Sequence, residues 1–309
     1  MIGAGVFGRH HAAKYMQISG VELAAVADTA LEARLLAHVQ LDVPVVADWR
    51  MLRGKVDLVS ICSPANTHAE IVRGFLEAGA HVLVEKPIAT TVAEAEDLIA
   101  LAARHGRILT VGHQERFVFA KSGLFDFGDV PLAVECVRAG PWTGRSTDVG
   151  VALDLMIHDL DLVHCLVPGA LESVQASGRA LHGELADEIT ANLTFSSGTE
   201  VKLFASRVVT ERARSMRLVF EEGEIEIDFL SRTLTNTTRR PIRALDMNDP
   251  LAESVTAFVA AVENGSDALV RPEEARRALE TALLIEDAAL ANAGSMRDAY
   301  APQEVAAFA

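Results

Sequence analysis

Short apolar runs alternate with amphipathic stretches through the first third of the chain. The runs cover residues 21–27, 56–62, 81–84 and 108–111; the first ends at Asp28 and the second at Ser63-Pro64. Runs with so few polar positions suit strands covered on both faces. Between them, helical spacing covers residues 8–19, 31–40, 67–78 and 92–105. The last of these opens at Thr90 or Thr91, with Glu94 placed to complete a capping box. Strand, helix, strand in this rhythm predicts a parallel, doubly wound sheet.

After Arg116 the rhythm changes. Residues 132–138, 173–179, 188–195, 200–207, 216–221 and 224–229 read as strands, several joined by tight turns such as Ser197-Gly198 and Glu222-Gly223. Strands joined so tightly must run antiparallel. One helix, 152–166, interrupts them; 233–250 is polar and reads as a loop; helices over 251–263 and 272–293 close the pattern. The expected fold is α/β: a doubly wound domain over 1–116, then an α+β domain over 117–309 whose C-terminal helix packs back on the first.

Bulk properties narrow the function. A length of 309 residues fits two domains, and a formal net charge of −15 argues against a nucleic-acid partner. The three cysteines, Cys62, Cys136 and Cys165, have no metal-ligand spacing and read as thiols of a reducing compartment. No secretion-like segment precedes the first motif, and no apolar run approaches the ~18 residues of a membrane span. A cytoplasmic protein without a membrane partner is expected.

Gly3-Ala4-Gly5-Val6-Phe7-Gly8 follows the G-x-G-x-x-G pattern. Its glycines allow a tight turn, close approach of backbone to a pyrophosphate, and close helix–strand packing, while the next helix offers free N–H groups to phosphate. Any glycine-rich turn can mimic the pattern alone. Here Asp28 ends the next apolar run, 28 − 8 = 20 residues after the last glycine. That spacing suits a carboxylate accepting hydrogen bonds from an adenosine ribose. With Thr29 and Ala30 next and no adjacent arginine, NAD is favoured over NADP. Only Met1 and Ile2 precede Gly3, so the central strand is shorter than the ~5 residues of an ordinary one. A shortened start is the expectation.

Two further groups carry chemistry. Glu85-Lys86-Pro87 follows an apolar run and so falls at the C-terminal edge of a parallel sheet, where open α/β folds bind ligands. A lysine there can steady a developing alkoxide, although a surface lysine before a loop proline is the plainer reading of the tripeptide. In the predicted helix, Asp154 and His158 stand four residues apart on one face. His158 suits a proton acceptor, with Asp154 one turn away to orient it; alone, such a pair is more often a surface hydrogen bond. Asp159 and Asp161 point elsewhere and read as pairing or capping residues. No cysteine or third histidine has fitting spacing, so no metal site is expected.

Taken together and in this order, the glycine motif, Glu85-Lys86-Pro87 and the Asp154–His158 helix resemble the Gfo/Idh/MocA oxidoreductase family. Ser63-Pro64-Ala65-Asn66-Thr67-His68 is similar to that family's segment beside the cofactor. The resemblance spans essentially the whole chain. It implies a Rossmann domain and a C-terminal domain with a large, mostly antiparallel sheet. It implies Lys86, Asp154 and His158 as the catalytic set, with His158 as acid/base. The implied cofactor contacts are Gly3, Gly5, Val6, Phe7, Gly8, Asp28, Ser63, Pro64, Asn66, His68, Glu85 and Lys86. The segment 111–117, with Asp154 to Asp159, looks like the branch that oxidises the 3-hydroxyl of UDP-N-acetylglucosamine. Arg116 would then hold the cofactor or an anionic substrate, unless it is a domain-boundary salt bridge. His113 is open to either role, and His10 and His11 read as structural. The expected protein is an NAD-dependent dehydrogenase of a sugar or nucleotide-sugar alcohol. An inositol or free-sugar dehydrogenase and a non-catalytic NAD sensor are the alternatives. A sheet face in need of cover implies a homodimer or homotetramer.

Overall fold

The computed structural model describes residues 1–144, 146–246 and 248–296. In the first half, β1 (Val26–Ala27) pairs in parallel with β2 (Val45–Val46), and β3 (Leu58–Ile61), β4 (His81–Val84) and β5 (Leu109–Val111) form a parallel set. Ile2 joins the two groups by bridging Ala27 on one side and Ile61 on the other. The central position of the sheet is therefore filled by two residues. Val21 to Ala25 were expected to be strand; only Val26 and Ala27 pair as one, and the Ala25 carbonyl accepts from the Met1 amine.

Helices α1 (Val6–Tyr15), α2 (Leu31–Leu41), α3 (His68–Glu77) and α4 (Val92–His105) cover this sheet. The α4 start follows its sequence signature: the Glu94 amide donates to Thr91 Oγ1, and Glu94 returns a carboxylate oxygen to the Thr91 amide. Each satisfies a backbone donor that the first turn leaves bare.

A short helix, α5 (Glu115–Ser122), leads into the second half. It was not anticipated, and the expected domain boundary after Arg116 falls inside it. The seven-stranded sheet then runs β12-β11-β10-β6-β9-β8-β7. Its strands are β6 (Ala133–Ala139), β7 (Leu171–Arg179), β8 (Glu188–Phe195), β9 (Glu200–Ser206), β10 (Ala213–Phe220), β11 (Gly223–Asp228) and β12 (Thr233–Asn236). Only β6 and β9 pair in parallel. β12 lies in the stretch expected to be a loop: its polar residues are tolerated because it is an edge strand with one neighbour.

The helix over 152–166 is two structures. Residues Ala152–Met156 form a π turn, and α6 (Ile157–Leu166) continues from it. Two helices, α7 (Pro250–Asn264) and α8 (Pro272–Met296), close the described chain. α7 packs Leu251, Val255 and Phe258 against Tyr15 and Leu83 of the first half. One apolar core runs through both halves, from Phe75 and Val84 through Phe119 and Val134 to Leu160 and Ile285. Burial on this scale, at roughly 25 cal/mol per Å² of apolar surface, fixes the two halves against each other. No helix among the described residues is long and apolar enough to cross a membrane.

Candidate active site

The glycine turn has the shape its spacing implies. Gly3 sits at φ +86°, and a Cβ there would come within 2.5 Å of the Cys62 carbonyl oxygen. A Cβ on Gly8 would meet the Gly3 carbonyl at 1.9 Å, whereas Gly5 faces open space. No side chain caps the first turn of α1, and Val6 and Phe7 stand exposed beside it. Asp28 accepts the Ala4 amide at 2.6 Å and the Ala30 amide at 2.8 Å, which ties the end of β1 to the turn. A carboxylate has four lone-pair directions, so acceptor capacity remains for a ribose diol. Bare amides, space at Gly5 and a fixed carboxylate together fit an adenine dinucleotide. No arginine is adjacent to Asp28 in sequence, but the fold brings one near: Arg34 donates to the Asp28 and Thr29 carbonyls.

Past β3, Ser63 is half-buried while Pro64 and Asn66 are exposed, at the sheet edge where the resemblance puts cofactor contacts. His68 is a correction. Its ring is buried, with Nδ1 2.7 Å from the Pro87 carbonyl and Nε2 2.9 Å from the Ser63 carbonyl. The neutral ring donates to one of these carbonyls and is packed between the two site loops, away from solvent.

Glu85 is also held from below. Its Oε1 lies 3.0 Å from His11 Nε2 and accepts from Gln114 Nε2 at 3.4 Å. Gly112 makes room for it, since a Cβ there would lie 2.2 Å from the same oxygen. The expectation that His11 is structural thus acquires a partner.

Lys86 crosses from the first half to the second. Its Nζ donates to the Asp154 carbonyl at 2.5 Å and to Asp154 Oδ1 at 3.3 Å. His158 stands nearby: the Lys86 charge disfavours a second charge on its imidazole. Lys86, Asp154 and His158 keep 17, 16 and 19% of their side-chain surface exposed, so the group borders solvent rather than lying in sealed core.

The expected role of Asp154 changes. One turn from His158, it was to orient the imidazole; instead its carboxylate and carbonyl are engaged by the lysine. His158 Nδ1 lies 3.1 Å from Glu115 Oε2. Behind it, Glu115 Oε1 accepts from Arg138 Nη1 at 3.2 Å, and Arg138 forms a two-bond pair with Asp159 at 2.7 and 3.0 Å. Burial opposes ionisation of Glu115, but the Arg138 charge and the hydrogen bond to His158 Nδ1 favour the carboxylate and hold it well below the usual range. Burial dominates at His158 and pushes the imidazole down to about 3, with Glu115 pulling the other way. Its ring is therefore neutral at physiological pH, as a proton acceptor must be.

The last helix packs against the turn that leads to Asp154. Glu286 of α8 lies against the amides of Ala152 and Leu153, and a Cβ on Gly150 would come within 2.1 Å of its Oε1. Single-turn π segments recur at functional sites because they offset the side chains that follow.

Arg116 is the second correction. It is 4% exposed, makes two hydrogen bonds of 2.7 Å to Asp161 and pairs with Glu274. With its guanidinium buried between these carboxylates, it ties α5 to α6 and α8, as the salt-bridge alternative has it. Asp159 and Asp161 both pair, as expected. His113 is buried, and neither ring nitrogen makes a hydrogen bond among the described residues, although Nδ1 lies 3.8 Å from Asp161 Oδ2.

Glu115 was missed by sequence reading. It lay within the segment 111–117, but nothing in spacing alone links it to a histidine 43 residues away. Among the described residues, His11, Cys62 and Glu85 are the only three metal-type donors brought together, and the His11–Glu85 hydrogen bond already uses two of them.

Comparison with known proteins agrees with this architecture. Residues 1–113 match the oxidoreductase family described as an NAD-binding Rossmann fold, and residues 124–226 match the GFO/IDH/MocA C-terminal domain. UDP-N-acetylglucosamine 3-dehydrogenase of Acidithiobacillus ferrooxidans is 38% identical over 235 residues, covering 76% of this chain and 74% of that protein. A solved structure of that enzyme superposes with a TM-score of 0.87 at 35% identity, over 94% of this chain and 96% of the other. An inositol 2-dehydrogenase/D-chiro-inositol 3-dehydrogenase of Halalkalibacterium halodurans is 34% identical over 57% of this chain and 54% of its own length. Scyllo-inositol dehydrogenase from Lactobacillus casei, solved with NAD(H) and scyllo-inositol, shares the fold at 21% identity, with a TM-score of 0.80 over 94% of this chain and 96% of that one. By these matches along both halves, the chain belongs to the Gfo/Idh/MocA family of oxidoreductases.

Proposed function

We propose that this protein is an NAD-dependent dehydrogenase of a secondary alcohol on a sugar or nucleotide sugar, and that the 3-hydroxyl of UDP-N-acetylglucosamine is its substrate position. The carrying observation is the contact of Lys86 Nζ with Asp154 across the two halves of the chain, with the part-exposed His158 four residues further along the same segment. The similarity to the Acidithiobacillus ferrooxidans enzyme favours the nucleotide sugar over a free polyol. Inositol dehydrogenases among the relatives keep a free polyol as the second reading.

In the reaction, the substrate hydroxyl gives its proton to neutral His158 while Lys86 donates a hydrogen bond to the same oxygen. Asp154 holds the ammonium in place and balances its charge. NAD, when bound, supplies the acceptor for the hydride leaving the carbinol carbon. The alcohol becomes a ketone; two electrons and one hydrogen leave with the cofactor, and one proton leaves through His158. Gly3, Gly5, Val6, Phe7, Gly8 and Asp28 would hold the dinucleotide, with Ser63, Pro64, Asn66 and Glu85 toward its reactive end. Asp28 favours NAD, because a 2′-phosphate would meet its charge. A non-catalytic sensor would have no need for this trio.

Residues 1–116 form the proposed cofactor domain and residues 117–309 the substrate domain, in a homodimer or homotetramer. The three unpaired thiols suit a reducing cytoplasm. The test is a substrate screen with NAD and NADP in parallel, including UDP-N-acetylglucosamine, myo-inositol and simple hexoses. Turnover of inositol without turnover of the nucleotide sugar would move the protein to the second reading. No reduction of either cofactor by any of them would leave the sensor.

A further inference from the structure

We propose that Glu115, backed by Arg138, is the positioning residue that fixes the tautomer of His158, so that Nε2 is the atom that takes the substrate proton. This rests on the dehydrogenase reading of the same site. The geometry is a chain of three side chains from three elements: His158 on α6, Glu115 at the start of α5 and Arg138 on β6. His158 Nδ1 lies 3.1 Å from Glu115 Oε2, and Glu115 Oε1 accepts from Arg138 Nη1 at 3.2 Å.

An ionised carboxylate can only accept hydrogen bonds, so the 3.1 Å contact requires hydrogen on Nδ1. A neutral imidazole carries one ring hydrogen, and Nε2 is then a bare lone pair. Nε2 has no protein partner among the described residues and is not sealed from solvent. It is the free end of the ring.

Every other charged or titratable group around the ring fits the same assignment. Lys86, after β4, is a cation and can offer Nε2 no acceptor. Arg138 reaches the ring only through Glu115 and is itself paired with Asp159. His113, ahead of α5, meets His158 edge to face, with ring centroids 6.4 Å apart. Arg214 on β10 is paired in register with Arg138 and adds positive charge behind Glu115. Asp154, the carboxylate nearest in sequence, is held by Lys86. Glu115 alone can set the tautomer. It also steadies the imidazolium once Nε2 has been protonated, and Arg138 keeps the carboxylate from rotating away.

The test joins a spectroscopic and a kinetic readout. Nitrogen NMR of histidine-labelled protein, with His158 assigned by its loss in His158→Gln, reads the tautomer without any substrate. The expected wild-type ring carries hydrogen on Nδ1. Glu115→Gln can present an amide N–H to that nitrogen, so the ring should shift toward hydrogen on Nε2. Its kcat should fall by about 100-fold or more while KM stays within about threefold. Glu115→Asp, which keeps the acceptor one carbon short, should recover part of the loss.

A wild-type ring with hydrogen on Nε2 would overturn the proposal, even if the glutamine variant failed to fold. So would a glutamine variant with a near-wild-type kcat. If His158→Ala abolishes turnover and Glu115→Gln does not, this inference fails and the dehydrogenase reading stands. If His158→Ala keeps full turnover, the base assignment itself fails, and the NMR result still decides the tautomer.

Discussion

Two cation–carboxylate contacts join the first half of the chain to the helix that starts at residue 152, and they are built differently. Lys86 meets Asp154 through a single 3.3 Å side-chain contact, with both side chains about one-sixth exposed. Arg116 meets Asp161 through two bonds of 2.7 Å, with the side chains 4 and 1% exposed. The first can exchange its partner for a substrate oxygen; the second cannot without unpacking the interface. Similar charge pairs thus differ in how much water they keep, and on the proposed function that difference separates the reacting pair from the packed one.

The sharpest way to break the comparison is at the open pair. Lys86→Ala and His158→Ala should each lose about 100-fold to 10⁴-fold in kcat while retaining NAD binding by fluorescence titration. Wild-type rates in both variants would remove the catalytic side of the contrast. The closed pair should answer in stability instead. Arg116→Ala leaves Asp161 buried and unpaired, so urea unfolding should show a loss of about 3–5 kcal/mol. Replacing Arg116 and Asp161 together by Met and Leu should cost much less. A destabilisation no larger than that of Lys86→Ala would erase the distinction.

Acid should find the same boundary between open and sealed groups. Burial pushes His164, which shares a hydrogen bond with Thr281, down to about 4. A folded pKa below the unfolded 6.5 means that unfolded chain binds the proton first. Stability from this group is therefore full above pH 6.5 and declines as pH falls toward 4, by about 3 kcal/mol. Urea midpoints measured across that window should fall, and less so in His164→Gln. The smallest effect should come from the cofactor end. Asp28→Ala removes one acceptor pair, so NAD affinity should drop about tenfold while NADP affinity holds or rises, as titration of both would register.

Local signals in the sequence were read well where one segment carried them. The α4 cap, β8 over Glu188–Phe195, and the glycine turn with Asp28 needed no tertiary information. What escaped was set by partners distant in sequence. Residues 152–166 have ordinary helical spacing, and nothing within them announces the π turn, which packs against α8, β9 and β6. Asp154 looked like the orienter of His158 because four-residue spacing is visible and a contact with Lys86, 68 residues away, is not. The short β1 and the polar β12 depend on which neighbours exist to pair with. Arg116 was legible only as a choice between ligand contact and salt bridge, and its burial with Asp161 decided it.

The carboxylate of Glu286 occupies the volume that a side chain at position 150 would need. A methyl group gained at 150 would therefore have to displace the end of that side chain, and Glu286 is the group that must move for any larger residue to enter beside the turn leading to Asp154.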